Sequence, residues 1–218
     1  MNFKELNTPE TVWIFDYDLT LYGFNEAKVL YGMDEYINEF VMNHLNVTQV
    51  QANKIRNEYW QKYGTTLAGL RAQGAVDPHA YFDFIHNGAN IVMPQENKTL
   101  QTLLQTISGT KVVFTNGRKD WASRGLSHIG IENEFDHLFD LEDSNWIGKP
   151  HKNAYEPVIQ KLNLNSNKNI LFFDDKIDNL KTASDLGWKT VWMNPELENK
   201  KPNWLDYQLG HINDLKLF

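Results

Sequence analysis

The stretch from Trp13 to Tyr22, WIFDYDLTLY, places two carboxylates and a hydroxyl directly after an apolar run. Asp16 and Asp18 are two residues apart, so on an extended chain both side chains point to the same side. Such a pair can share one cation, or divide the roles of nucleophile and proton carrier. Aspartate and threonine are also common turn residues, so this stretch taken alone is equally compatible with an ordinary strand-to-turn junction.

Two further apolar runs, KVVF and ILFF, also end in polar residues. Thr115 and Asn116 follow the first run, and Asp174 and Asp175 follow the second. The carboxyl ends of parallel strands open on one edge of a sheet, so these residues converge with the first acidic pair if all three runs are parallel strands. Lys149 lies in a loop before a helical segment. A lysine taken alone is usually a surface residue, but its position between these motifs favours a functional role.

This set of side chains favours phosphoryl transfer. Carboxylates without histidine or cysteine partners favour a hard, oxygen-liking ion such as Mg²⁺ over zinc. A lysine, a hydroxyl group and main-chain donors can hold the charge of a transferring phosphoryl group, and a carboxylate nucleophile can form an aspartyl-phosphate. The chain contains no cysteine, which excludes disulfides, thiolate metal sites and cysteine nucleophiles.

The elements that must position these residues follow from the hydrophobic pattern. Short apolar runs predict strands at 12–15, 111–114, 170–173 and 190–193. Helical patterns lie between them, and residues 131–139 read as a mixed connection. Strands that alternate with helices predict an α/β fold, a Rossmann-like parallel sheet with right-handed crossovers and helices on both faces. Near the end of the sequence, Leu209 and residues 212–217 are expected to tie a last short element to the sheet edge.

One long segment interrupts this alternation with helical periodicity and no strand pattern. Thr48 and Gln51 have the spacing of a capping box at the start of one helix. Asp77 followed by Pro78 predicts the start of another. Glycines from Gly64 to Gly74 break the pattern between these helices and predict a loop.

The predicted domain division follows from this segment. Residues 22–94, which we call the helical insertion, are expected to form an all-α domain inserted after the first strand. Residues 1–21 and 95–218 are expected to form the Rossmann-like catalytic core.

Composition and charge limit the classes of binding partner that we expect. The 218 residues carry a formal net charge of -7, which argues against binding to duplex nucleic acid, because such binders carry a basic face. No segment has the pattern of a signal peptide or reaches the roughly 20 apolar residues of a membrane span. We therefore expect a soluble, cytoplasmic protein that binds a small molecule, with neither a membrane nor a nucleic acid as partner. The oligomeric state is left open.

Taken in order, the polar residues resemble the motifs of the haloacid dehalogenase-like (HAD) hydrolase superfamily. The matching positions are Asp16, Asp18 and Thr20 of D-x-D-x-T, the strand-end Thr115, Lys149 of G-K-P, and the acidic pair Asp174 and Asp175. The resemblance covers the sheet domain throughout and implies the fold predicted above. Superfamily members that displace halide lack the second aspartate of the first motif, so Asp18 favours a phosphatase.

The resemblance implies a role for each motif residue. Asp16 is expected to be the nucleophile, and Asp18 the general acid and base. Thr115, Lys149 and the main-chain N–H of Asn116 are expected to hold the phosphoryl group.

The same resemblance implies Mg²⁺ as the cofactor. Its expected ligands are Asp16, the main-chain carbonyl oxygen of Asp18, and Asp175, with Asp174 as a further candidate. Asn179 lies four residues after Asp175, where many relatives carry a second acid. Because of this substitution, the resemblance does not specify which residues surround the ligands of the ion.

The helical insertion resembles the cap of a branch that includes phosphoglycolate phosphatases, β-phosphoglucomutases and pyrimidine 5′-nucleotidases. The runs YWQKYG, FTNGRKDWA and FFDDKIDNL are most similar to the last group. The implied function is hydrolysis of a small phosphorylated metabolite, a nucleoside 5′-monophosphate. The alternatives are a sugar-phosphate or phosphoglycolate phosphatase, or a β-phosphoglucomutase-like mutase that returns the phosphoryl group to its substrate.

Candidate substrate contacts also lie outside the motifs. Arg118 is the best placed of the cations that follow Thr115. The helical insertion adds four residues in or beside its glycine-rich segment, namely Tyr63, Thr65, Thr66 and Arg71. Tyr63 can stack on a base and Arg71 can bind a charged leaving group, although Tyr63 equally fits a core position.

Overall fold

A computed structural model of the chain describes residues 3–23, 26, 28–74, 76–87, 91–164, 169–196 and 201–217. Its six strands are β1 (Val12–Phe15), β2 (Thr110–Phe114), β3 (His137–Phe139), β4 (Ile170–Asp174), β5 (Lys189–Met193) and β6 (Tyr207–Leu209). All neighbouring strands are parallel, in the order β3-β2-β1-β4-β5-β6. The predicted α/β sheet is therefore confirmed.

The described helices fall into two groups. Four lie between β1 and β2 within the helical insertion, namely α1 (Lys28–Leu45), α2 (Gln49–Tyr63), α3 (Thr66–Gln73) and α4 (Pro78–His86). Four others belong to the sheet unit, namely α5 (Lys98–Gln105), α6 (Lys119–Ile129), α7 (Glu156–Leu162) and α8 (Ile177–Asp185). None of the helices in the described part of the chain has the length and apolar character that a membrane crossing needs.

The strand order places β1 at the centre of the sheet, where the winding direction reverses. Phe15 is in register with Val113 of β2 on one side and with Phe173 of β4 on the other. Crevices at such reversal points are where open α/β sheets bind ligands. The residues that follow β1, β2 and β4 are thus brought to one edge.

Both faces of the sheet are buried, which explains why its strands read as continuous apolar runs. Trp13 and Phe15 pack on one face with residues of α5 and α6. Ile14 and Phe172 pack on the other face with residues of α7 and α8. This two-sided packing fixes the level of the strand ends relative to one another.

The helices of the insertion pack around a third hydrophobic cluster, which includes Val41, Ala52 and Leu70 and also Leu141 of the sheet unit. Thr48 begins α2 with the predicted capping box to Gln51. Asp77 caps α4, and Pro78 is its first residue, also as predicted. No strand lies within the described residues of the insertion.

The predicted loop from Gly64 to Gly74 is wrong, because α3 occupies most of it. Gly64 ends α2 in the left-handed conformation, with φ 82°, and the Thr65 hydroxyl then caps the first turn of α3. Gly69 lies inside α3, where a Cβ would fall 2.2 Å from Cγ of Tyr59 on α2. The glycines thus mark a helix end and a close contact between two helices.

The sheet has two edge strands beyond the four strands that the sequence predicts. Residues 131–139 include β3, which has only three residues and no alternation that would reveal it. At the other edge, β6 (Tyr207–Leu209) pairs with β5, so the expected last element is a strand. Both edge strands lie away from the central strand ends that carry the candidate site.

The segment after β1 packs against α6 through the side chain of Tyr17. This tyrosine lies between the two acids of the first motif and is fully buried. A Cβ on Gly125 of α6 would fall 1.4 Å from the Tyr17 hydroxyl oxygen, so the phenol ring occupies space that only glycine leaves open. The helix thereby holds the backbone between Asp16 and Asp18.

Candidate active site

Lys149 lies at the centre of the converging strand ends. Its side chain is 1% exposed, and its ammonium group donates to three acceptors. These are Oδ1 of Asp16 at 3.0 Å, Oδ2 of Asp174 at 2.8 Å and the carbonyl oxygen of Phe114 at 2.7 Å. An ammonium has three protons, so Lys149 is fully bonded and joins the ends of β1, β2 and β4.

Asp174 is fully buried and accepts hydrogen bonds at both oxygens. Oδ1 accepts from the main-chain N–H of Lys176 at 2.8 Å, and both oxygens accept from Nδ2 of Asn179 at 2.9 Å. With the ammonium of Lys149, four contacts fill the roughly four lone-pair sites of a carboxylate. Asp174 is therefore an anchor for Lys149, and Asn179, in place of the second acid expected in relatives, holds that anchor.

A cluster of carboxylate oxygens offers room for a cation. Ligand atoms of Asp16, Asp174 and Asp175 all lie within 4.8 Å of one another. Because the Asp174 oxygens are already bonded, Asp16 and Asp175 are the better donors. Each has one oxygen that is bonded to no donor among the described residues. Two carboxylates and open positions for water or phosphate suit Mg²⁺, which binds proteins through few carboxylates.

The pKa values of two acids of the site are raised, chiefly by burial. Burial raises the pKa of Asp16 well above its usual range, against the opposing effect of Lys149, and Asp174 and Asp175 raise it further. Burial and the charge of Asp174 likewise raise the pKa of Asp175 to about 6. A divalent cation would relieve the mutual repulsion of these acids.

Asp18 lies beside this cluster and is partly exposed. The Tyr22 hydroxyl donates to its Oδ1 at 2.6 Å. Desolvation raises the pKa of Asp18, although the bond from Tyr22 opposes the shift. A raised pKa shifts a carboxyl group toward the protonated form that a general acid needs.

Thr115 and Asn116 follow β2 beside Lys149. The buried Thr115 hydroxyl accepts from the main-chain N–H of Gly117 at 2.9 Å. The Asn116 side chain binds the main chain of Lys149 twice, since Oδ1 accepts from its N–H and Nδ2 donates to its carbonyl oxygen, both at 2.8 Å. The sequence indicated only a main-chain role for Asn116, because a residue 33 positions away gives no local signal.

Arg118 and Arg71 connect the helical insertion to the sheet unit. The Arg118 guanidinium is paired with Asp120 and, at 2.7 Å, with Asp83 of α4. Arg71 donates to the carbonyl oxygens of Asn145 at 3.4 Å and Trp146 at 3.3 Å, in the segment after β3. A substrate contact by either arginine stays a prediction, because both guanidiniums are engaged in this conformation.

The remaining candidates of the insertion lie where α2 meets α3. The Tyr63 hydroxyl accepts from Gln73 at 3.2 Å, Thr65 caps α3 and Thr66 is its first residue. A Cβ on Gly64 would lie 3.4 Å from the carbonyl oxygen of Lys149. The junction between α2 and α3 therefore lies directly against the Lys149 loop.

Lys176 is a site residue that sequence reasoning missed. Its ammonium lies 2.8 Å from Oδ2 of Asp175, and half of its side chain is exposed. The two residues are adjacent in the run FFDDKIDNL. The position of Lys176 directly after Asp175 was the only sequence feature that could have indicated this ion pair. It is a weak indication, because neighbouring side chains on an extended chain usually point in opposite directions.

Comparison with known proteins matches residues 13–187 to the haloacid dehalogenase-like hydrolases. A curated relative, Phosphate metabolism protein 8 of Saccharomyces cerevisiae, is 26% identical over 190 residues. The match takes in 81% of this chain and 59% of the yeast protein. The chain thus spans less than two thirds of that relative's length.

Solved structures share the fold at low identity. The HAD-hydrolase YfnB of Bacillus subtilis, crystallised with magnesium, has a TM-score of 0.60 at 18% identity, over 95% of this chain and 97% of its own. A HAD phosphatase from Thermococcus onnurineus has a TM-score of 0.60 at 16% identity, over 92% and 94%. The L-2-haloacid dehalogenase of Xanthobacter autotrophicus has a TM-score of 0.55 at 14% identity, over 94% and 96%. At such identities the likeness establishes the fold, not the reaction.

The two bonds from Asn116 to the Lys149 main chain lead to a specific prediction. Asn116→Asp keeps the shape but replaces the Nδ2 donor with an oxygen that faces a carbonyl. We expect a loss of about 1–3 kcal/mol in the free energy of unfolding and faster hydrogen exchange at the Lys149 amide. Urea denaturation and exchange mass spectrometry measure both. Asn153→Asp, the same change at an exposed position, should alter neither, and equal behaviour of the two variants would contradict the assigned bonds.

Proposed function

We propose that this chain, which belongs to the haloacid dehalogenase-like hydrolase family, is a Mg²⁺-dependent phosphomonoester hydrolase that acts through an aspartyl-phosphate on Asp16. The observation that carries the proposal is the position of Lys149, which joins Asp16 to Asp174 in a buried network. A fixed cation beside a carboxylate keeps that carboxylate aimed and allows a second anion, the phosphate ester, to approach.

In the first step, a carboxylate oxygen of Asp16 attacks phosphorus. The new oxygen–phosphorus bond forms as the bond to the ester oxygen breaks, and Asp18 gives its proton to the leaving alcohol. In the second step, Asp18 takes a proton from water as the water oxygen attacks phosphorus. The bond to Asp16 breaks, inorganic phosphate leaves, and both acids return to their starting states. The raised pKa of Asp18 supports its part in both steps.

Other groups of the site would hold the phosphoryl oxygens. The Thr115 hydroxyl is the donor within the buried strand end, and the main-chain N–H of Asn116 is the donor expected from the resemblance. Asp16, Asp175 and the carbonyl oxygen of Asp18 would hold Mg²⁺. When bound, the ion would offset the charge of the acids and of the phosphate. In support, the Bacillus subtilis neighbour was crystallised with magnesium.

The helical insertion, residues 22–94, would act as a cap over the site. Two contacts support this role: the α2–α3 junction lies against the Lys149 loop, and Phe82 of α4 stacks on Trp146 of the sheet unit at 6.0 Å. A cap that closes during transfer excludes bulk water from the aspartyl-phosphate. Interdomain movement is described for the Bacillus subtilis neighbour.

The substrate is proposed to be a nucleoside 5′-monophosphate, with a sugar phosphate or phosphoglycolate as the alternative. The similarity of the insertion and of two strand-end runs to pyrimidine 5′-nucleotidases supports the nucleotide, as does Tyr63, an aromatic ring at the α2–α3 junction. The yeast relative is named for phosphate metabolism. Dehalogenases are also structural neighbours, but Asp18 favours phosphate esters.

The reaction class is tested by hydrolysis of p-nitrophenyl phosphate with Mg²⁺ and with EDTA. We expect turnover only with Mg²⁺, and a fall of at least about 1,000-fold in kcat for Asp16→Asn, because an amide cannot form the intermediate. Asp185→Asn, the same change at an exposed ion pair of α8, should retain full activity. Undiminished turnover by Asp16→Asn would exclude the proposed nucleophile.

The substrate class is tested by kcat/KM for UMP, CMP, AMP, sugar phosphates and phosphoglycolate. We expect UMP and CMP to exceed the other esters by at least about tenfold, a difference that a few contacts to the base can supply. Equal values for all esters would defeat the nucleotide proposal while leaving the phosphatase intact. Activity that requires a bisphosphate would instead indicate a mutase.

A further inference from the structure

The two lysines of the site are held differently. Lys149 is buried with three acceptors and has no proton free for another partner. The Lys176 ammonium has one carboxylate partner, Oδ2 of Asp175 at 2.8 Å, and its side chain is 50% exposed. Lys176 can therefore move its charge into solvent at little cost, whereas Lys149 cannot.

The backbone keeps Lys176 at the site even when its side chain moves. Its main-chain N–H donates to Oδ1 of the buried Asp174 at 2.8 Å, and the residue directly precedes the first residue of α8. The side chain thus pivots from a fixed point next to Asp175. A lysine side chain is cationic at neutral pH, so Lys176 keeps a positive charge beside Asp175.

The balance of charge indicates what Lys176 does for the acids. The group contains four carboxylates and two ammonium groups, namely Asp16, Asp18, Asp174, Asp175, Lys149 and Lys176. The acids outnumber the ammonium groups, and Lys176 offsets one negative charge next to Asp175. Without Lys176, the attraction of the acids for a cation would be stronger.

We propose that Lys176 weakens cation binding at the metal site, because its ammonium group, held on one carboxylate oxygen of Asp175, repels a divalent cation bound by the other. The inference rests on the proposed function, because it takes Asp16 and Asp175 as ligands of Mg²⁺. The Asp175 oxygen that would bind the ion is not the one that Lys176 holds, so the effect is repulsion between the two cations. Lys176 therefore lowers the affinity for Mg²⁺ and raises the free ion concentration at which the site fills.

The test is the Mg²⁺ affinity of the substrate-free full chain, measured by isothermal titration calorimetry at constant ionic strength. Lys176→Met removes the charge and keeps much of the apolar stem. We expect its dissociation constant for Mg²⁺ to fall by about three- to tenfold, the size of effect for one nearby, half-exposed charge. Lys176→Arg, which keeps the charge, should stay close to the wild-type affinity.

Lys181→Met is the matched control. Lys181 lies in α8, its side chain is 47% exposed, and it also pairs with a carboxylate, that of Asp185. It should leave the Mg²⁺ affinity unchanged. A second measurement, the rise in Tm on adding saturating Mg²⁺, should be larger for Lys176→Met than for either the wild type or the control.

The outcomes separate this inference from the proposed function. If the wild type binds Mg²⁺ and Lys176→Met binds it equally well or more weakly, the inference is overturned and the proposed function stands. An unchanged affinity together with a raised KM would also overturn it, and would place Lys176 on the substrate. If the wild type binds no Mg²⁺, the metal part of the proposed function and the inference both fall.

Discussion

A buried ammonium group is tolerated only where each of its protons meets an acceptor and its charge meets an opposite charge. Lys149 meets both conditions at the carboxyl ends of the central strands, between Asp16, Asp174 and the carbonyl oxygen of Phe114. These acceptors come from the ends of β1, β4 and β2, so the contact exists only if the three strands end at one level. The order β2-β1-β4 and the two-sided core impose that condition.

The Lys149 contact also links the parts of the molecule that surround it. Asn116 holds the Lys149 main chain from the end of β2, and Asn179 holds the Asp174 carboxylate from α8. The α2–α3 junction of the helical insertion lies on the same loop. The residue whose ammonium group aims the proposed nucleophile thus lies, through its main chain, against the element proposed to close over the substrate.

Much of the sheet could be predicted, because strands buried on both faces leave continuous apolar runs such as WIF and ILFF, and the acids that follow them stand out. The glycine-rich segment misled the prediction, since Gly69 serves a contact with Tyr59 rather than a turn. The two hydrogen bonds between the Asn116 side chain and the Lys149 main chain could not be predicted from sequence spacing. The same holds for the four hydrogen-bond contacts of the Asp174 carboxylate, because both sets depend on which strands become neighbours in three dimensions.

The central claim is that Asp16, the carboxylate that accepts a hydrogen bond from Lys149, also accepts the phosphoryl group. Reductive trapping tests this claim. Borohydride added during turnover with Mg²⁺ and a phosphate ester reduces an aspartyl-phosphate to homoserine, and peptide mass spectrometry locates the modified residue. We predict homoserine at position 16, lost when the substrate is omitted and absent from Asp16→Asn. Modification at Asp18, Asp174 or Asp175, or none during sustained turnover, would contradict the account.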